Sequence, residues 1–592
     1  MSDDANDEFA ATAANAPDDG SIAVGITGHR PQRIDGYDMD ALSRRIDETL
    51  EALERHSDHA RFRLIGSLAE GADTIVAKVA LAREWQVDAV LPFDRAEYAR
   101  DFDGPGAAEC LNSLIDRAKN VFELGGSRNE VGGEAAAYER AGRVMLSQCE
   151  LLIAVWDGDP PLGRGGAAQI VVEAIGQGLP ILTIHPDAAR PPVLLWSGLN
   201  EHQLGPEAID TIARGGLADI PLLFGPTGPL RRIDADVRAE QRRRSRTPRI
   251  VGIAYPLLLA ATGVRPLRLA DFKAPQPATL GAPIDHDSTF KERIEEQLTP
   301  AFEEADRDAS DSAQLFRGAF VSNFALAALA VTLSLLGLVV ASGLKTSLVL
   351  AEFIAIASIL LITRVGGRVG WHQRWLDQRR LAERLRCLGI SAELGDLSLN
   401  TISRDIGGAS FRLRGIARRL ELPSVRVTPA YVAAAHGHLV ALLTDQISYL
   451  QREALRMHHL EHRLHRVGGV LFAATAIICA VVLAGTALHI FLPPHLAEVF
   501  EHHPLGVTVV SASLPAIGAA IYGIRMQGDF AGAAERNGAL AGQLIGLCRL
   551  AQDETPDFDG LRRLVRRTTE LLIEDVSQWF RASLARPLSL PG

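Results

Sequence analysis

The chain has 592 residues, 47% of them hydrophobic and 22% charged, with a formal net charge of −11 and a pI near 5.9. That acidity excludes non-specific nucleic-acid binding by the chain as a whole. Its five cysteines, Cys110, Cys149, Cys387, Cys479 and Cys548, lie far apart without a CxxC pair, which excludes a disulfide framework or a zinc site and suits a reducing compartment.

Residues 1–20 are rich in Asp and Ala and lack a basic start followed by an apolar core, so they read as a disordered leader without a cleavable signal peptide. From Ser21 onward, strand patterns at Ser21–Ile26, Phe62–Ile65, Ala89–Pro92, Leu151–Val155 and Ile181–Ile184 alternate with helical spacing. The helices fall at Ala41–Leu53, Thr74–Arg83, Tyr138–Ser147 and Ala167–Ile175. The alternation predicts an α/β, Rossmann-like domain over residues 21–187, a parallel sheet covered on both faces. Ligands of such sheets sit beyond the carboxyl ends of the strands. Four segments converge there: Gly28-His29-Arg30, Gly66 to Asp73, Phe93-Asp94, and Trp156 to Gly166. A glycine turn that opens a helix aims backbone N–H groups and the positive end of the helix dipole at an anion.

At these residues the chain resembles the SLOG superfamily, which includes DNA-processing protein A, the Lonely Guy phosphoribohydrolases, the ligand domain of Thoeris effectors and the amino-terminal region of TRPM channels. The stretches that carry the resemblance are ITGHRP, GSLAEGAD and AVWDGDPPLGRGGAAQIVVEA, within about residues 20 to 187. The resemblance implies a nucleotide-derived ligand, with Gly28 and Arg30 near a phosphate, Ser67 and Gly71 at the second turn, and Gly165 and Gly166 at the last. Hydrolytic relatives carry a motif similar to GGxGTxxE; here the stretch is Gly165-Gly166-Ala167-Ala168-Gln169, with Glu173 further along. If Gln169 occupies the acidic position, general acid/base work is lost, because an amide exchanges no proton near neutral pH. Binding is therefore expected rather than hydrolysis, with no catalytic residue, metal or firm cofactor assigned. The candidate ligand-binding set is Gly28, His29, Arg30, Gly66, Ser67, Glu70, Gly71, Asp73, Asp94, Trp156, Asp157, Gly158, Gly165, Gly166 and Gln169. Plainer roles compete for some of them. Glu70 and Asp73 suit a helix cap, Trp156-Asp157-Gly158 a strand-closing turn, and His29 a surface loop.

Residues 188–289 form a connector of unassigned fold. It contains a basic run from Arg231 to Arg249 and the apolar stretch Ile250–Val264, which is too short to span and holds Pro256. An interfacial or buried segment beside anionic headgroups is one reading, and a basic surface for ligand phosphates or another subunit is the other.

The remainder, 290–592, carries four long apolar stretches, at about 318–341, 346–363, 467–488 and 505–524. Gly318 to Gly343 contains no charge and reaches about 39 Å, against a hydrocarbon core of about 30 Å. Arg317, Arg364, Arg368, Arg374, Arg463, Arg466 and Arg525 flank one side of the spans, while Ser342–Lys345 carries one lysine and His489–Pro504 none. The positive-inside rule then predicts an all-α four-span bundle with both termini, the α/β domain, and the long helices of 364–466 and 525–592 in the cytoplasm.

Each pair of spans is preceded and followed by a helical stretch, an order repeated about 150 residues later. This layout resembles a doubled SLATT effector, the two-span module that accompanies SLOG domains in bacterial conflict systems. The likeness implies an oligomeric pore in the bacterial inner membrane, within a nucleotide-signalling or defence system. Glu352, Asn323, Ser322 and Thr332 are the pore-lining candidates; for Glu352, snorkelling or a hydrogen bond within the bundle competes. The expected partners are a nucleotide-derived small molecule, the lipid bilayer and further copies of the chain, with no nucleic acid. A membrane-tethered nucleotide or NAD-related hydrolase using Glu173 or Glu70 is the alternative activity, and a non-catalytic membrane scaffold the third.

Overall fold

The computed structural model describes residues 20–57, 60–129, 132–160, 164–200, 208–231, 249–281, 283–402, 408–488, 504–553 and 556–590. The leader, apart from Gly20, lies outside these residues, as do most of the basic run before Arg249 and nearly all of the connection between the third and fourth apolar stretches. Short helical turns are named below by residue.

Strand β1 (Ile22–Gly28) is apolar and buried along its first five residues, as a central strand must be. It is followed by helix α1 (Met39–His56), β2 (Phe62–Gly66), α2 (Ala72–Ala82), β3 (Gln86–Leu91), α3 (Ala107–Arg117), β4 (Asn120–Glu123), α4 (Gly133–Gln148), β5 (Leu151–Val155), α5 (Ala167–Gly176) and β6 (Ile181–Ile184). In α1, Leu42, Ile46, Leu50 and Leu53 recur at helical spacing and are buried, and the Asp38 carboxylate caps the helix by accepting from the Ala41 amide.

The sheet does not stop at residue 187. Two short antiparallel strands, β7 (Val193–Leu195) and β8 (Arg214–Gly215), extend one edge from what the sequence leaves as connector. At the other edge β9 (Val425–Arg426) pairs parallel with β4, more than 200 residues after the last strand before it. The order is β8-β7-β6-β5-β1-β2-β3-β4-β9.

Alternation along the strands separates two cores. Ile22, Val24, Leu64 and Ile153 face α1, α2 and α3. Ala23, Ile65, Val90 and Leu152 face α4 and α5. The change of side between the helices after β1–β3 and those after β4–β5 makes the carboxyl ends of β1 and β5 a topological switch point.

The second core continues without a break into the carboxyl-terminal helices: α6 (Thr299–Leu336), α7 (Ser342–Val369), α8 (Trp371–Glu393), α9 (Gly408–Leu420), α10 (Pro429–Leu488), α11 (Pro504–Gly528), α12 (Phe530–Asp553) and α13 (Phe558–Leu584). Phe302, Leu385, Ile416, Leu443, Leu544 and Leu561 share one cluster with the sheet residues. Buried charge pins the same boundary. Glu150 accepts two hydrogen bonds from Arg418 of α9 at 2.8 and 2.9 Å, with both side chains sealed from solvent. Arg63 and Asp88, each 0% exposed, pair at 2.6 Å, and Asn120 links Asp88 to Glu421 just past α9. Arg140 of α4 grips Asp559 of α13 at 2.7 and 2.9 Å.

Four helices are long and apolar enough to cross a membrane, within Ser288–Leu336, Ser342–Val369, Pro429–Ala484 and Gly506–Asp553. Helix α6 packs along both α7 and α11, while α10 packs along α11 and α12. The segment Arg249–Ala261 lies against α6, where Gly318 admits the Val251 carbonyl so closely that a Cβ would meet it at 2.1 Å. Tyr255 and Leu259 are buried there, while Ile250 and Leu257 stay exposed.

Candidate functional site

The loops after β1, β2 and β5 adjoin one another at the switch point, and the loop after β3 reaches them through Phe93, Tyr138 and Arg30. The β1 loop runs into the start of α2. The Ala72 amide donates to the His29 carbonyl at 3.1 Å, and Gly71 adopts φ +107 with that carbonyl 2.6 Å from where a Cβ would stand. Only glycine fits such a conformation at such a distance. Gly28 is constrained by space alone, with the Ala72 Cβ 2.4 Å from where its own Cβ would stand. Gly66 owes its residue type to Ile26, whose Cγ2 would lie 2.3 Å from a Cβ, so it serves strand packing.

Asp73, in the first turn of α2, is buried beside Arg30 and the backbone amides of Gly28 and Ala69. Burial pushes its carboxyl up to about 7, against the pull of Arg30 and those amides. Its surroundings exceed a simple cap. Arg30 leaves the β1 loop and lies over the Tyr138 ring at 5.3 Å, with its Nη1 3.4 Å from the Asp101 carbonyl. The Tyr138 hydroxyl donates to the Asp101 carboxylate, and burial together with that bond pushes the phenol up to about 12. Tyr98 stands next to this group, wholly buried, with its hydroxyl lacking a partner among the described residues. Ser67 and Glu70 are half-buried on the β2 loop, and a Glu70 carboxylate oxygen lies close to Gly104.

His29 is buried rather than surface-exposed, 3.0 Å by Nε2 from Asp157 Oδ1 and 3.2 Å from the Asp157 amide nitrogen. The amide only donates and the carboxylate only accepts, so the tautomer decides which of them Nε2 serves. Asp157 also pairs with Arg33 at 2.5 Å; despite partial burial its carboxyl is lowered by the Asp159 amide, His29 and Arg33. Trp156 donates from Nε1 to the Asp159 carbonyl at 2.9 Å, and Gly158 takes φ +91 in open space. The Trp156–Gly158 stretch therefore is a turn, and one that holds His29.

Gln169 is a clasp. It accepts from the Gly165 amide at 2.8 Å and donates to Glu139 at 3.0 Å and Glu173 at 2.9 Å. Gly165 itself sits at φ +80 against the backbone of α4, and Gly166 leads into α5. Glu173 is further paired with Arg143 at 3.0 Å. Asp94, after β3, pairs with Arg426 of β9.

Several residues at this site carry no sequence signal: Arg33, Tyr98, Asp101, Arg128, Tyr138 and Arg426. Arg128 stacks on Phe93 at 4.1 Å and pairs with Glu97, Asp101 and Glu134. Among the described residues no cluster of three or more metal-ligating side chains occurs.

In the apolar helices, Asn323 is buried between α6 and α7 and donates to Thr363 at 2.9 Å, an interhelical bond rather than a solvent-facing group. Thr332 bonds its own helix at the Ala328 carbonyl, and Ser322 and Glu352 are half-buried. No known family model matches this chain, and no curated protein matches it.

Proposed function

We propose that this protein is a membrane-embedded sensor of the SLOG and SLATT type, in which the strand-end crevice binds a nucleotide-derived anion and its occupancy reorganises an oligomeric four-span bundle into a conducting or permeabilising state. The observation that carries this reading is the continuous core between the crevice-bearing sheet and the helices that lead into the apolar spans. A ligand shifts an equilibrium only through contacts that differ between its two arrangements, and a shared core is the means by which such a difference travels. Arg30, set at a glycine turn beside the start of α2, supplies the anion-recognising group. One differential contact of this kind contributes about 1–3 kcal/mol, a change of roughly 5- to 150-fold in an opening equilibrium.

On this reading the sheet, the long helices and both termini face the cytoplasm at a bacterial inner membrane, which the arginines at the ends of the spans support. Hydrolysis has less behind it, since Glu173 is occupied by Arg143 and Gln169. The test is dye release from liposomes holding the full-length protein, with AMP and ADP-ribose added in turn. Ligand-dependent release that Arg30→Ala abolishes is expected; binding without release removes the pore, and turnover of either compound restores the enzyme reading.

A further inference from the structure

The strand at the far edge of the sheet, β9, lies between the second and third apolar helices in sequence and meets the loop after β3 in space. Its register sets Arg426 beside Glu123 at the carboxyl end of β4. The Val427 amide donates to the Glu123 carbonyl at 2.8 Å, and Gly125, at φ +59, would place a Cβ 2.7 Å from the Val427 carbonyl oxygen. From there the guanidinium of Arg426 pairs with the carboxylate of Asp94. A line of contacts runs inward from that pair. Asp94 follows Phe93, whose ring meets Tyr138 edge-to-face at 5.6 Å, and Tyr138 lies under Arg30. Outward, Thr428 caps the start of α10 by accepting from the Tyr431 amide at 3.2 Å.

We infer that Arg426 is a ligand-binding residue of the crevice, contributed by the membrane half, which takes an anionic group of the bound molecule in place of the Asp94 carboxylate. The inference rests on reading the crevice as an anion site. Beside Arg30, this arginine is more available than Arg33 and Arg128. Arg33 is committed to Asp157 and Asp159, and Arg128 to three carboxylates. Arg426 is 59% exposed and its partner 32%, so their pair is of the solvent-screened kind that gives way to a stronger ligand. A guanidinium also offers a phosphate two parallel donors. The same side chain stands three residues before α10, so whatever it grips bears on the base of the helix that carries the third apolar stretch.

The experiment is titration of full-length protein in detergent with ADP-ribose and, separately, inorganic pyrophosphate, at fixed ionic strength. Arg426→Gln weakens ADP-ribose binding about tenfold. Asp94→Asn, which frees Arg426, tightens it several-fold. The double variant matches Arg426→Gln alone. A merely structural ion pair predicts instead that both single variants shift binding in the same direction, and thermal unfolding of each confirms that the fold is retained. Wild-type binding that neither variant alters overturns the inference and leaves the crevice reading standing. Wild-type protein that binds neither probe overturns both.

Discussion

Asp73 keeps a proton where most carboxylates have lost theirs, because it is enclosed and its neighbours only partly offset the lost hydration. The native state therefore holds a proton that the unfolded chain releases between about pH 4 and pH 7, and stability falls as pH rises through that window. A rise from 3.8 to about 7 corresponds to about 4 kcal/mol, fully lost above neutrality. Chemical unfolding of full-length protein at pH 5 and pH 8 should show this slope, and Asp73→Asn should flatten it. An anion bound beside Asp73 raises the carboxyl further, so ligand affinity should weaken as pH rises past 7, and less so in the Asn variant. Gly71→Ala combines a left-handed backbone with a carbonyl in the way; a loss of about 2–4 kcal/mol in the same unfolding measurement is expected. Glycines of this type are legible in sequence, since the turn that demands them is local. The set around Arg30 is not. Tyr98, Asp101, Arg128 and Tyr138 come from two distant loops and a helix, and packing rather than spacing brings them together.

Among the elements, strands β1, β2, β5 and β6 were readable because each is a near-continuous apolar run, the pattern of a strand buried on both faces. β4, Asn-Val-Phe-Glu, is short and polar at both ends, and β9 has two residues, too few for any periodicity. Both form because a neighbouring edge is already in place, which is a tertiary effect. The buried pairs around α9 were equally hidden, for an arginine at helical spacing reads as a solvated face until its partner is seen. Glu150→Ala leaves the Arg418 guanidinium sealed and unpaired, which costs about 3–5 kcal/mol. Urea unfolding of the detergent-solubilised variant would register that loss as a shifted midpoint. A variant as stable as wild type would mean that water reaches Arg418.

At the level of the molecule, the α/β part and the long helices are one folding unit. A fragment ending at residue 231 keeps α4 and α5 but lacks β9 and the carboxyl-terminal helices, and so bares Phe122 and the outer side of α4 that those helices cover. Such a fragment should aggregate on size-exclusion chromatography, whereas the full chain in detergent should elute as a single species; a monodisperse fragment would refute the shared core. The repeated layout seen in the sequence has a structural counterpart. Helix α6 packs on α8 as α10 packs on α12, and α6 on α7 as α10 on α11. The likeness ends at the contact of α6 with α11, for which α10 and α7 make no comparable packing among the described residues. Helix α10 also runs unbroken for 60 residues, from the edge of the sheet through the third apolar stretch, a length of about 90 Å. A stiff rod of that length is a lever. Tilting its foot by about 5° would sweep its far tip sideways by about 8 Å, so a small rearrangement at the sheet would reach the end of the third apolar stretch as a displacement wider than a water molecule.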